Sequence, residues 1–472
     1  MSTTRKIAHN TLYQLIGKII SVTLGLIALG MMTRYLGQEQ FGWYVTTIAF
    51  LQFIGILIDF GLIPVTAQMM SEPAFDKEKL FKNLIGFRFT TAVLFLGAAP
   101  LIALLFPYPT EVKIAIAFST VSFLSIAMNQ VLVGFYQTKL KMHIQAIGEV
   151  VGRIVLVLGL WFLMARGEGF IPIMIVIALS SIAYTIVLWT RASKETPVSF
   201  GFNKEIWKAI AIKMWPIAIS IMFNVLYLKG DILILSWFRE QTEIGLYGAA
   251  YRVIDILSQT ALMIMGVMLP LLAYNWSRNL KAEFQKLYQQ SFDAMMALAF
   301  PALIGTLLLA NKVMLLVAGS EFQESGKTLQ ILALAIFGLY LGAIFGHAAV
   351  AINKQKQVMW IYISAAVLTV IGYFIFIPTY GMYGAAWMTV FSEIYTGTLL
   401  FAAVSHYSKI RLQTKALAKI FFSSIVMGAI LLSFSHLHVL ILVPLGILVY
   451  GFFLFSLGAV SKETMREIIK FK

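Results

Sequence analysis

The chain has 472 residues, 60% of them hydrophobic and only 12% charged, with a mean hydropathy of +0.86. That balance excludes an ordinary soluble domain, in which about a quarter of the residues are charged, and predicts an all-α polytopic membrane protein. The net charge of +15 is spread in a way that argues against nucleic acid as a partner, and the absence of cysteine excludes disulfides and thiolate metal sites.

Runs of about 20 apolar residues, enough to cross a hydrocarbon core, predict about fourteen transmembrane helices. The first, 11–34, follows Arg5 and Lys6 as a signal peptide would. It carries Gln14 and Lys18, is long and opens a continuous series of spans, and is read as a retained helix. Spans 41–70, 83–106, 112–134, 147–165 and 169–190 complete a first six-helix lobe, residues 1–190. Residues 191–215 place Lys204, Trp207, Lys208 and Lys213 among Ile206, Ile210 and Ile212, and read as an amphipathic linker in the cytoplasmic interface. Spans 216–237, 246–273, 290–311, 328–352, 358–377 and 383–405 form a second lobe, residues 216–405. Within it "NWSRNLKAEFQKLYQQSFD", Asn275 to Asp293, reads as another interfacial segment. Spans 416–436 and 439–458 belong to a C-terminal part, 406–472, that ends in a cytoplasmic tail.

The connections on the side of the N-terminus hold 26 Lys and Arg, with Arg88 counted among them. The opposite connections hold only Arg34, Lys113, Arg166, Arg239, Lys312 and Lys327. Under the positive-inside rule both termini are cytoplasmic, as an even number of helices requires. The outward connections are short and leave no room for a folded catalytic domain.

Self-similarity marks three helices that run inward from the outer face: "FGWY" at Phe41, "GLYGAAY" at Gly245 and "GMYGAAW" at Gly381. Tyr and Trp populate any interfacial belt. Matching Gly42 to Gly245, with Pro64 and Pro270 further along the two helices, nevertheless supports two related six-helix lobes, a parallel repeat of the kind found in many secondary transporters.

The ionisable residues within spans are Lys18, Asp59, Glu149, Arg153, Lys229, Asp231, Arg252, Asp255 and Glu393. A charge at a helix centre costs roughly 2.5–3.5 kcal/mol on insertion scales, so these residues are expected to line an interior or a wet cavity. Lys229 and Asp231 are two apart and lie on nearly opposite sides of a helix. Counting inward at about 1.5 Å per residue sets Asp231 level with Arg252 and Lys229 level with Asp255, which offers two ion pairs across helices 7 and 8. Glu149 and Arg153 have the spacing of an i,i+4 pair. Lys18 either snorkels to the cytoplasmic interface or lines the cavity. Asp59 and Glu393 are cavity acids suited to a proton or a sodium ion, or else buried hydrogen-bonded carboxyls. His347 reads as a packed polar residue, and His436 and His438 alone make an incomplete metal site. No DxD, HExxH, GxSxG or P-loop occurs, so neither catalytic residues nor a cofactor are expected.

Two segments carry a family likeness. In the first, Arg34, Leu36, Gly37, Phe41, Gly42, Tyr44, Asp59, Gly61 and Leu62 match an Arg-x-Leu-Gly turn, a Phe-Gly-x-Tyr and an Asp-x-Gly-Leu. In the second, Asp231 precedes an apolar run and then Gly245, Leu246, Tyr247, Ala249, Ala250, Tyr251 and Arg252. The chain thus resembles the polysaccharide transport proteins, or Wzx-type O-antigen flippases, of the multidrug/oligosaccharidyl-lipid/polysaccharide exporter superfamily. The resemblance implies a V-shaped pair of six-helix bundles around a central cavity, with two extra C-terminal helices. It also implies transport of a polyprenyl-pyrophosphate-linked oligosaccharide from the cytoplasmic to the outer leaflet of the cell membrane. Lys18, Arg153, Lys229 and Arg252 are then the cavity cations for the anionic head group, Asp59, Asp231, Asp255 and Glu393 the cavity acids or coupling sites for H+ or Na+, and Pro64 and Pro270 candidate bend points. The family commonly has Arg or Lys directly after the residue matching Asp231; here Ile232 follows, and Lys229 precedes it.

Three other classes fit less well. A cation-coupled multidrug exporter of the same superfamily calls for an acid-dominated pocket. A membrane polysaccharide polymerase or glycosyltransferase calls for a large outer loop, and a structural scaffold does not need so many intramembrane charges.

Overall fold

The computed structural model describes residues 3–59, 62–71, 76–139 and 141–458. Among the described residues all regular structure is helical: thirteen α-helices and one short 3-10 turn, Ser320–Phe322. The α-helices are α1 (Thr3–Asp59), α2 (Leu62–Ser71), α3 (Lys77–Ala103), α4 (Thr110–Thr138), α5 (Met142–Ala165), α6 (Phe170–Ala192), α7 (Lys204–Phe238), α8 (Gln241–Ser277), α9 (Lys281–Val317), α10 (Ser325–Ala351), α11 (Gln355–Ser408), α12 (Lys415–Ser433) and α13 (Val439–Ser456). Eleven are long and apolar enough to cross a bilayer. Large apolar side chains such as Leu105, Trp161 and Leu448 stand exposed, as suits contact with lipid. The chain is a multi-pass integral membrane protein.

The predicted spans and the observed helices agree once two glycines are considered. α1 and α11 each run continuously through a residue with non-helical geometry: Gly37 at φ 67°, ψ −175° and Gly381 at φ 56°, ψ −134°. Side chains rarely tolerate a positive φ there, so each glycine lets one predicted span turn into the next. The second predicted span is further divided between the end of α1 and α2, where Pro64 falls in the first turn, a position that needs no amide donor.

The chain forms two compact units, Met1–Gly245 and Leu246–Lys472. In the first, α7 packs against α1. The expected interfacial linker is only partly separate, because residues from Lys204 onward belong to α7 itself. Asn203 caps that helix, its side chain accepting from the Glu205 and Ile206 amides at 3.1 Å. Ile210 and Met214 join a buried core with Leu80, Phe81 and Leu84 of α3, and Trp207 packs edge-on against Phe87. Ile212 and Trp215 remain exposed, so one helix face is spent on the protein core and the other faces outward. The preceding loop is anchored by the Gly201 amide on the Lys82 carbonyl (2.8 Å) and the Asn203 amide on Asn83 Oδ1 (2.7 Å).

The two repeat-matched glycines meet. A Cβ on Gly42 would clash with the Gln241 carbonyl oxygen, and one on Gly245 with the Gln38 carbonyl oxygen. Thr46 Oγ1 donates to Gln241 Oε1 at 2.7 Å beside them. Small residues here serve close backbone approach, the standard device of helix packing in membranes.

In the second unit α10 packs against α9 and α11. α12 and α13 dock on α9 through Leu309, Met427, Leu431 and Leu442, and the Tyr450 hydroxyl donates to the Ala297 carbonyl at 2.7 Å. The predicted interfacial segment from Asn275 to Asp293 is the end of α8, a turn through Asn279 and the start of α9.

Outside the spans, Glu195 accepts from Lys139 (3.0 Å) and Lys141 (2.9 Å) and ties the α4–α5 turn to the end of α6. Partial burial pushes the Glu195 carboxyl up, but the hydrogen bonds and charges of Lys141 and Lys139 outweigh it and hold the group below its ordinary 4.5. A depressed carboxyl stabilises the fold in full above its unfolded value, and that stabilisation is lost as pH falls through the folded value. Glu195→Gln should therefore lower Tm at neutral pH, with the difference from wild type shrinking to nothing as pH drops below 4.5. Gly42→Val should destabilise the chain by about 1–3 kcal/mol through overpacking, read as lost monodispersity or a lower Tm in detergent.

Candidate functional site

Inside the first unit six helices, α1, α3, α4, α5, α6 and α7, line a cavity of about 610 Å³. Its charged lining comprises Arg88 of α3, Arg153 and Glu149 of α5 and Lys229 of α7. Polar uncharged groups complete it, among them Gln52, Gln130 and Tyr184, with Ser122 and Ser181 hydrogen-bonded across helices at 2.7 Å. α5 sits close on α6 because Gly152 leaves no side chain against the Ser180 carbonyl, 2.9 Å from where a Cβ would be.

Among the described residues the lining has a single acid, and it is already engaged. Glu149 Oε1 accepts from Lys18 Nζ at 3.1 Å and from Ser21 Oγ at 2.8 Å, both on α1. Arg88 is 2% exposed and its Nε donates to the Ala127 carbonyl at 3.2 Å. Arg153 is exposed in the cavity wall and makes no hydrogen bond or ion pair among the described residues. Gly25 leaves it room: the guanidinium carbon lies 3.7 Å from the position of a Cβ there. With Glu149 compensated by Lys18, the described lining carries an excess of positive charge. In a site of reduced dielectric that excess attracts a polyanion far more strongly than the same charges would in water.

A family model described as "Polysaccharide biosynthesis protein" matches residues 31–327. The chain belongs to that family. It is similar to the probable low-salt glycan biosynthesis flippase Agl15 of Haloferax volcanii, with 23% identity over 434 residues that cover 91% of this chain and 90% of the relative. The fold is similar to that of lipid II flippase MurJ in an inward closed conformation, with a TM-score of 0.78 at 16% identity over 97% of this chain and 100% of that one. It is also similar to an inward-facing multidrug resistance MATE transporter of the MOP superfamily, with a TM-score of 0.70 at 14% identity over 84% of this chain and 98% of that one.

In this family member the structure sorts the predicted site residues. Arg153 and Lys229 line the cavity, and Lys18 holds Glu149 at its edge. The i,i+4 pair expected of Glu149 and Arg153 is replaced: α1 brings Lys18 and Ser21 to the carboxylate, and Arg153 is left beside Gly25. Arg252 and Asp255 belong to the second unit and pair with each other along α8 at 3.7 Å. Asp231 is wholly buried, and its Oδ1 accepts from the Ile232 amide at 2.8 Å. Glu393 is buried on α11 where Gly338 of α10 abuts its main chain. Asp59 ends α1, and its side chain lies outside the described residues. His347 Nδ1 contacts the Ala343 carbonyl one turn back at 2.7 Å, and His438 accepts from the Leu440 amide at the start of α13.

Arg88 is the cavity cation that the positive-inside count assigns to a connection, although the predicted span 83–106 contains it; α3 begins at Lys77, and Arg88 stands three turns inside the helix. The signal available was its setting in "LIGFRFTTAVLF", apolar on both sides. Lys18 and Glu149 side chains are 31% and 23% exposed, so their pairing is screened only in part. A double-mutant cycle with Lys18→Met and Glu149→Gln should give a coupling of about 0.5–1 kcal/mol, read from unfolding in detergent.

Proposed function

We propose that this chain is a flippase that turns a polyprenyl-pyrophosphate-linked oligosaccharide from the cytoplasmic to the outer leaflet by alternating access, for cell-surface polysaccharide biosynthesis. The observation that carries the reading is the Arg153 guanidinium, without a partner among the described residues, in a cavity whose other described charged walls are Arg88, Lys229 and a neutralised Glu149. A pyrophosphate presents several acceptor oxygens, and a guanidinium meets them with a planar fork of donors. The hydroxyl and amide lining suits sugar hydroxyls, and the polyprenol stays in lipid. Family membership and the flippase among its relatives support the same reading.

On this reading the protein is a transporter of the cell membrane with both termini cytoplasmic. Residues 1–190 and 216–405 act as two lobes joined through 191–215, and 406–472 supplies two accessory helices. Lys18, Arg153, Lys229 and Arg252 serve the substrate, and Asp59, Asp231, Asp255 and Glu393 are the acids available for H+ or Na+ coupling. A cation exporter would place acids in the pocket, and the one acid among the described residues of the lining is held by Lys18.

The test is turnover of labelled polyprenyl-pyrophosphate oligosaccharide in proteoliposomes, followed by leaflet accessibility. Arg153→Ala should slow it by about 10-fold or more, the worth of a charge-assisted hydrogen bond, with Arg153→Lys recovering part of the rate. Efflux of cationic dyes without lipid turnover would move the protein to the drug-exporter class.

A further inference from the structure

A second concave site lies in the other unit, where α8 ends, α9 begins and α11 ends. The groove has a volume of about 420 Å³ and is lined by Asn275, Trp276, Asn279, Lys281, Tyr407 and Lys409, with Ser408 between the last two. Asn279 and Lys409 both adopt left-handed backbone, φ 59° and 58°, which stops α8 and α11 beside it. The Lys354 ammonium stands 5.1 Å from the Tyr407 ring centroid, Lys281 and Lys409 line the groove, and no carboxylate lines it among the described residues.

Lysines at helix C-termini have an ordinary explanation, since they offset the negative end of the dipole. That accounts for Lys409 but not for Lys281. Lys281 is the first residue of α9, where the dipole disfavours a cation and only Glu283 offsets it. An anion held between Lys281 and Lys409 removes the conflict, because it is favoured by both ammoniums and by the α9 N-terminus. Two asparagine amides and the Ser408 hydroxyl supply neutral donors around it. Trp276 and Tyr407 are the residue types that settle at headgroup depth. Lipid-phosphate recognition by basic side chains at a membrane surface has this composition.

We propose that this groove binds the phosphate of an anionic lipid headgroup at the membrane surface, as a site separate from the transport cavity. The protein in detergent would be titrated with short-chain phosphatidylglycerol, phosphatidylcholine or inorganic phosphate, with Tm as the readout. Phosphatidylglycerol should raise Tm, phosphatidylcholine and inorganic phosphate should not, and the double variant Lys281→Gln/Lys409→Gln should roughly halve the shift or abolish it. Lys204→Gln/Lys208→Gln, exposed lysines of the first unit, should leave the shift intact. A full response in the groove variant, or an equal response to inorganic phosphate, overturns the proposal. Should the double variant fail to fold, Ser408→Cys provides a single thiol in a chain without cysteine. Phosphatidylglycerol should slow its maleimide labelling relative to phosphatidylcholine, and equal rates overturn the proposal.

Discussion

The constraint that orders this molecule is the absence of water from the hydrocarbon core. Every charge carried into a span must find a partner or a wet cavity. Lys18 and Ser21 satisfy Glu149 from another helix, Arg252 satisfies Asp255 along its own, and Arg88 donates to a main-chain carbonyl. Arg153 has none of these resolutions among the described residues, and it stands where the packed helices leave space. The cavity's cationic character therefore depends on a contact at its edge. Without Lys18, the Glu149 carboxylate would offset one of the lining cations.

Backbone geometry carries an equal share of the design. Gly37 and Gly381 let two continuous helices change direction without ending. Gly42 and Gly245, matched by the internal repeat, become a place of close main-chain approach. The aromatic neighbours in those motifs suit the interfacial belt, and the glycines between them answer to packing. At Gly42 and Gly245 one short motif thus meets two separate physical demands.

Helix count and class were readable because hydrophobic runs report directly on bilayer thickness. Helix starts were less readable. α7 begins a dozen residues before its apolar run, and α3 six residues before, because Asn203 and Asp76 cap them and their first turns pack on protein. Arg88 lies within both the predicted span and α3, and only its nearness to the cytoplasmic end put it in the count of connection charges. Pairing was least readable: i,i+4 spacing favoured Glu149 with Arg153, but a neighbouring helix offered a lysine and a serine together.

The sequence by itself determined that the chain spans a membrane many times, that it repeats internally and that it holds charges no lipid would accept. It also determined the family likeness through the two segments around Gly42 and Gly245. Only the tertiary structure decided which of the described charges neutralise one another and which stands in the cavity wall without a described partner. Composition states the cost of burying each charge, but partnership depends on which helices cross and at what depth, and that is set by long-range packing rather than by local spacing.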